Sequence, residues 1–109
     1  MRKISARRGR GNVFADMGFT AAEASELMAK SSLIDAIGET IERRKLTQME
    51  AAKICGTDQP TLSKVLRGRM ESVTIDRLAG WLTALGRIVE IRVRPYNART
   101  KSGHLVAVL

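Results

Sequence analysis

A chain of 109 residues, 44% hydrophobic with only four aromatics, has room for one ordinary domain whose core must come from Leu, Ile, Val, Ala and Met, a composition suited to small packed helices. Its net charge of +8 makes a polyanion the natural partner. The lone cysteine excludes an internal disulfide and fits a reducing compartment. The basic N-terminus lacks the apolar run of a signal peptide, and no uncharged stretch nears the roughly 20 residues of a membrane helix, so a soluble cytoplasmic protein is expected.

Residues 1–12 carry Arg2, Lys3, Arg7, Arg8 and Arg10 and no acid, a local charge of +5. They read as a disordered basic arm, either a solubilising tail or a contact to phosphates or the minor groove. Val13, Phe14, Met17 and Phe19 are too apolar for a free linker. Thr20 followed by Glu23 forms a capping box, which predicts a helix over about 21–30 with Ala24, Leu27 and Met28 on one face. Ser31 or Ser32 then starts or kinks into a second helix. That helix spans 33–45, where Leu33, Ile34, Ile37 and Ile41 make an apolar stripe. Its last turn is cationic, as the helix dipole favours.

Thr47 with Glu50 caps the next helix, and Gly56 supplies the residue able to take positive φ at its end. Asp58 caps the helix after it, Pro60 falls in the first turn, and Gly68 closes it. Thr74 opens a segment at 75–85 with Ile75, Leu78, Leu82 and Leu85 as its stripe, Trp81 beside them and Gly86 as the stop. Then the period changes to two. Val89, Ile91 and Val93 alternate with Glu90, Arg92 and Arg94, a strand pattern that Pro95 ends. His104–Leu109 is a second strand candidate. The two could pair as a hairpin, or Val89–Arg94 could pair with its twin in a second subunit, because a lone two-stranded ribbon is only weakly stable.

Residues 47–68 meet the requirements of a helix-turn-helix. Ala52 is small where two helices nearly touch, Gly56 sits in the turn four residues later, and Leu62 and Val65 hold the second helix inward. Gln59, Thr61, Ser63 and Lys64 then face outward as base contacts. Gln pairs bidentately with adenine, Lys donates to guanine, and Thr or Ser bonds either base or touches a thymine methyl. Thr47, Gln48, Arg67 and Arg69 are the candidate phosphate contacts that set the register.

This stretch resembles the Xre-type helix-turn-helix of phage repressors and bacterial regulators. The shared pattern stands as Leu46-Thr47-Gln48, Ala51-Ala52, Gly56, Asp58-Gln59-Pro60-Thr61-Leu62-Ser63-Lys64 and Arg67-Gly68. Thr57 and Cys55 depart from it where larger apolar residues are usual, which implies a slightly looser core. The flanks, residues 12–19 and 85–91, are similar to a HigA-type antitoxin subgroup, so the resemblance covers about residues 12–95. It implies a homodimer that represses its own operon and binds a RelE-superfamily toxin. In the alternative weighting, the chain is mainly a protein-interaction module that neutralises the toxin, with DNA binding secondary.

The other chemistry-bearing residues have plainer readings. Cys55 is a small buried hydrophobe, and His104 has no companion metal ligands. Ser63 has no base within a recognisable motif, and Gly9-Arg10-Gly11 is not a phosphate loop. No catalytic, cofactor or metal site is expected. The fold class is therefore mainly α: a basic arm (1–12), a four- or five-helix repressor-like domain (13–86) and a C-terminal β-strand or β-ribbon (87–109), with dimerisation expected through the 87–94 strand or the helix at 75–85. Two copies would match a palindromic double-stranded operator with half-site centres about 34 Å apart.

Overall fold

The computed structural model describes Phe14, residues 16–95, Arg99 and residues 103–109; the basic arm at 1–12 lies outside these. Among the described residues four helices are delimited, in chain order: α1 Ala21–Arg43, α2 Gln48–Cys55, α3 Gln59–Leu66 and α4 Ile75–Ala84. Each begins on the capping residue that the sequence marks. The hydroxyl of Thr20 accepts from the Glu23 N–H while the Glu23 carboxylate accepts from the Thr20 N–H, and Thr47 and Glu50 repeat this box at α2. Asp58 and Thr74 cap α3 and α4 through the N–H of Thr61 and Arg77. Each cap satisfies N–H groups that the first helical turn leaves without a partner.

The two helices expected at 21–30 and 33–45 are one continuous 23-residue helix. Ser31 and Ser32 are buried within it rather than at a joint. A serine inside a helix costs only about half a kcal/mol relative to alanine. Burial of Ile34, Ile37 and Ile41, each capable of contributing about 1.5–3 kcal/mol, outweighs that. The helix stops two residues earlier than expected because Lys45 adopts φ 55°. The N–H of Leu46 then reaches the carbonyl of Ile41, and that of Lys45 reaches Glu42. This paired reversal recurs after α2, α3 and α4, but there a glycine holds the left-handed position: Gly56, Gly68 and Gly86. A glycine takes this conformation at little steric cost; Lys45 takes it with a Cβ.

The core is a single cluster. Ile34, Ile37 and Ile41 from α1 meet Ala51 and Ala52 from α2, Leu62 and Val65 from α3, and Leu78, Trp81, Leu82 and Leu85 around α4. Two arginines tie helix ends together: the Arg44 guanidinium donates to the Leu85 carbonyl at 3.2 Å, and Arg87 donates to the Thr40 hydroxyl at 2.9 Å. Phe14 is buried and meets Phe19 edge to face, with ring centroids 6.1 Å apart.

The described residues do not support the expected C-terminal β-ribbon. Among the described residues there is no strand, and no backbone hydrogen bond joins 88–94 to another segment. A strand exists only through a ladder of inter-strand hydrogen bonds, and the candidate partner within the chain is occupied elsewhere. Residues His104–Ala107 lie over α1, where they line a shallow cavity of about 200 Å³ with Ser25, Met28, Ala29 and Ser32. No helix among the described residues is long and apolar enough to cross a membrane.

Candidate nucleic-acid interface

The geometry of α2 and α3 follows from a few residues. Ala51 and Ala52 are fully buried, so the α2 backbone packs tightly against its neighbours, with no larger side chain to hold them off. Gly56, at φ 72°, turns the chain sharply; a Cβ there would meet no atom within 4 Å, so the requirement is conformational rather than steric. The N–H of Thr57 closes the turn on the Ala52 carbonyl at 2.9 Å. Asp58 restarts the helix at once, and Leu62 and Val65 anchor it with essentially no exposure. Leu66 also packs partly against the core, and these inward residues leave the polar side chains of α3 on the outer face.

On that face Lys64 and Arg67 are exposed, while Gln59, Thr61 and Ser63 are half-buried and still reachable. Thr47, Gln48 and Arg69 are exposed at the neighbouring helix ends. Gln59 and Gln48 are brought together: the Gln59 amide Nε2 donates to the Gln48 Oε1 at 2.8 Å. This uses one of four amide donors in the pair and leaves an N–H and the carbonyl of Gln59 for a base edge. The Thr47 oxygen already accepts from the Glu50 N–H, so its hydroxyl proton remains available to a phosphate oxygen. Arg67 lies at the far end of α3, a rise of about 12 Å from Gln59 at 1.5 Å per residue. That span is comparable to the width of the major groove, about 12 Å. Arg67 also lines a cavity of about 300 Å³ between the end of α3 and α1, with Ser31, Ile34, Asp35, Gly68 and others.

Asp58 places an exposed carboxylate at the start of α3. The Thr61 hydroxyl and backbone N–H hold it below the usual carboxylate range, and the nearby charges of Lys64 and Arg77 act in the same direction. Arg77 is the residue the sequence pattern did not single out. Its guanidinium donates to the Thr57 hydroxyl at 3.4 Å and sits 5.4 Å from the centroid of Trp81. An Arg and a Trp four apart on one helix face are the signal that could have found it, since that spacing suits a cation over an aromatic ring. It adds a cation beside the start of α3. Cys55 has its thiol 3.8 Å from the Trp81 carbonyl, and partial burial pushes its pKa up, which keeps it an unreactive packing group.

An outward polar helix, seated by Leu62 and Val65 and delivered by a glycine turn, defines a DNA-binding helix-turn-helix module. Residues 13–94 match the sequence profile of a helix-turn-helix domain family. A solved structure assigned to the XRE family of transcriptional regulators superimposes with a TM-score of 0.69 at 31% identity, over 79% of this chain and 96% of that one. No curated protein matches the sequence. The chain belongs to the helix-turn-helix family of XRE-type transcriptional regulators.

Proposed function

We propose that this DNA-binding regulator is a repressor that acts as a homodimer on a palindromic operator. In this reading α3 enters the major groove, Gln59, Thr61, Ser63 and Lys64 read base edges, and Thr47, Gln48, Arg67 and Arg69 hold phosphates. The observation that carries it is the hydrogen bond from the Gln59 amide to the Gln48 carbonyl oxygen, which links the proposed reading helix to the helix proposed to set its register. A single α3 spans only a few base pairs, so two-fold pairing is needed for a site of useful length. Regulation of this kind is by binding, with no catalytic step. Gln59→Ala should weaken binding to the cognate operator by about 1–3 kcal/mol and relax preference at one base pair, measured by titrating operator variants at fixed salt. Unchanged preference would remove Gln59 from the base readers.

The repressor is further proposed to be the antitoxin of a toxin–antitoxin pair, with a RelE-superfamily toxin as its protein partner. The support is the likeness of residues 12–19 and 85–91 to antitoxin flanks, together with apolar side chains left on the outside there: Met17 is 67% exposed and Ile88 89%. Co-expression with the product of the adjacent reading frame checks it. Co-purification as a defined complex is expected, and growth arrest by that product alone should be relieved. A product that neither binds nor arrests growth leaves the chain a plain repressor.

A further inference from the structure

We infer that Arg8-Gly9-Arg10 of the basic arm is a second DNA-contacting element, one that enters the minor groove beside the site of α3 and prefers A·T pairs there. The inference deepens the DNA-binding reading and rests on it.

The charge of the chain is divided in an unexpected way. Residues 47–69 hold Lys53, Lys64, Arg67 and Arg69 against Glu50 and Asp58, a net charge of only +2, whereas residues 1–12 carry +5. Most of the affinity of a protein for DNA in general comes from cations set against phosphates, so the helix-turn-helix supplies the smaller share of that attraction and the arm the larger.

The point where the arm joins the fold decides what it can reach. Phe14 is buried and lines the cavity at the C-terminal end of α3 together with Leu66, Arg67 and Gly68. Arg67 is a proposed phosphate contact, so the chain before Phe14 starts beside one phosphate wall of the major groove, and the minor groove lies across that wall. Arg10 stands four residues from Phe14 and Arg8 six, reaches of up to about 14 Å and 20 Å for extended chain. Either crosses a single backbone ridge into a groove about 6 Å wide.

The residue types suit that groove. An extended chain turns residues i and i+2 to one side and the residue between them to the other. Laid along the groove, Arg8 and Arg10 would both face its floor, and Gly9 would bring no side chain to hold the backbone away. The floor at an A·T pair offers only acceptors, adenine N3 and thymine O2, while a G·C pair adds the guanine amino donor. A guanidinium only donates, so it is matched by the first and opposed by the second. Runs of A·T pairs also narrow the groove and deepen its negative potential, which draws arginine in.

Titration of the full chain against two short duplexes without an operator, one of A·T and one of G·C pairs, tests this. The parent should bind the A·T duplex at least about fivefold more tightly. Arg8→Gln combined with Arg10→Gln should bring the two affinities together and flatten the slope of log affinity against log salt by roughly two. Gly9→Val keeps every charge but sets a branched side chain in the groove; it should lose the A·T preference and keep the parent's slope. A parent indifferent to the two duplexes, a double variant that keeps the preference, or a Gly9→Val chain that behaves as the parent would each overturn the inference, and a slope change without any A·T preference would leave the arm a charged tail only. None of these changes falls within α1–α4, and circular dichroism checks that each variant folds. Selection from randomised duplexes separates the two readings. A parent that selects no sequence fails the repressor reading, while the A·T preference and its loss are scored on duplexes that hold no operator.

Discussion

The helix-turn-helix at 47–68 and the tail at 87–109 are similar in length but fold on different terms. In the first, every structural instruction is answered within a few residues: Thr47 by Glu50, Asp58 by Thr61, Gly56 by its own φ. In the second, the alternation of Val89, Ile91 and Val93 with charged residues is just as regular, yet the described residues give it no ladder. A helix closes its hydrogen bonds inside one segment, whereas a strand needs another strand to exist. Periodicity alone therefore specifies a helix and only nominates a strand.

The comparison can be broken at several points. The largest effect is expected from Leu62→Ala. Leu62 is fully buried and seats α3, so its truncation should cost about 2–5 kcal/mol of stability, measured by denaturant unfolding. A loss well under 1 kcal/mol would mean that α3 is not held by its inner face. Acid should act next, and on the helical half alone. The carboxyls of Glu23, Glu50 and Asp58 are all held below their ordinary values, the first by Thr20, the second by Thr47 and the third by Thr61. A carboxyl with a depressed folded-state pKa stabilises the fold above its unfolded value, near pH 4, and loses that contribution as pH falls through the folded value. The melting temperature should therefore fall between roughly pH 5 and pH 3; a flat profile would show that the caps do not couple to folding. The smallest effect is expected from Ile91→Thr. Ile91 is 89% exposed, so the stability of the domain should change by no more than about 0.5 kcal/mol. A large loss of monomer stability would place Ile91 against its own core.

What was legible in the sequence follows the same division. Thr20, Thr47, Asp58 and Thr74 announce helix starts because capping acts over three residues, and all four helices begin where those residues say. The seat of the recognition helix was legible too, because Leu62 and Val65 are inward at helical spacing. The continuity of α1 through Ser31 and Ser32 was not. Two serines in succession resemble a break, and only tertiary burial of the flanking isoleucines decides otherwise. The stop at Lys45 was hidden because its left-handed position carries no glycine. Arg77 escaped notice because its neighbour Thr57 belongs to another element, a proximity that arises only once α4 packs against the turn.

The hydrogen bond between Gln48 and Gln59 restricts a side chain on the outer face of α3. A long amide side chain on a helix surface ordinarily samples several rotamers, and fixing it on docking costs about 0.5–1.5 kcal/mol. The hydrogen bond to Gln48 restricts the Gln59 side chain without DNA, so in the proposed reading part of that cost would already be met. In the proposed reading, the contact of Gln48 with phosphate and the orientation of the Gln59 amide would be coupled through this one hydrogen bond.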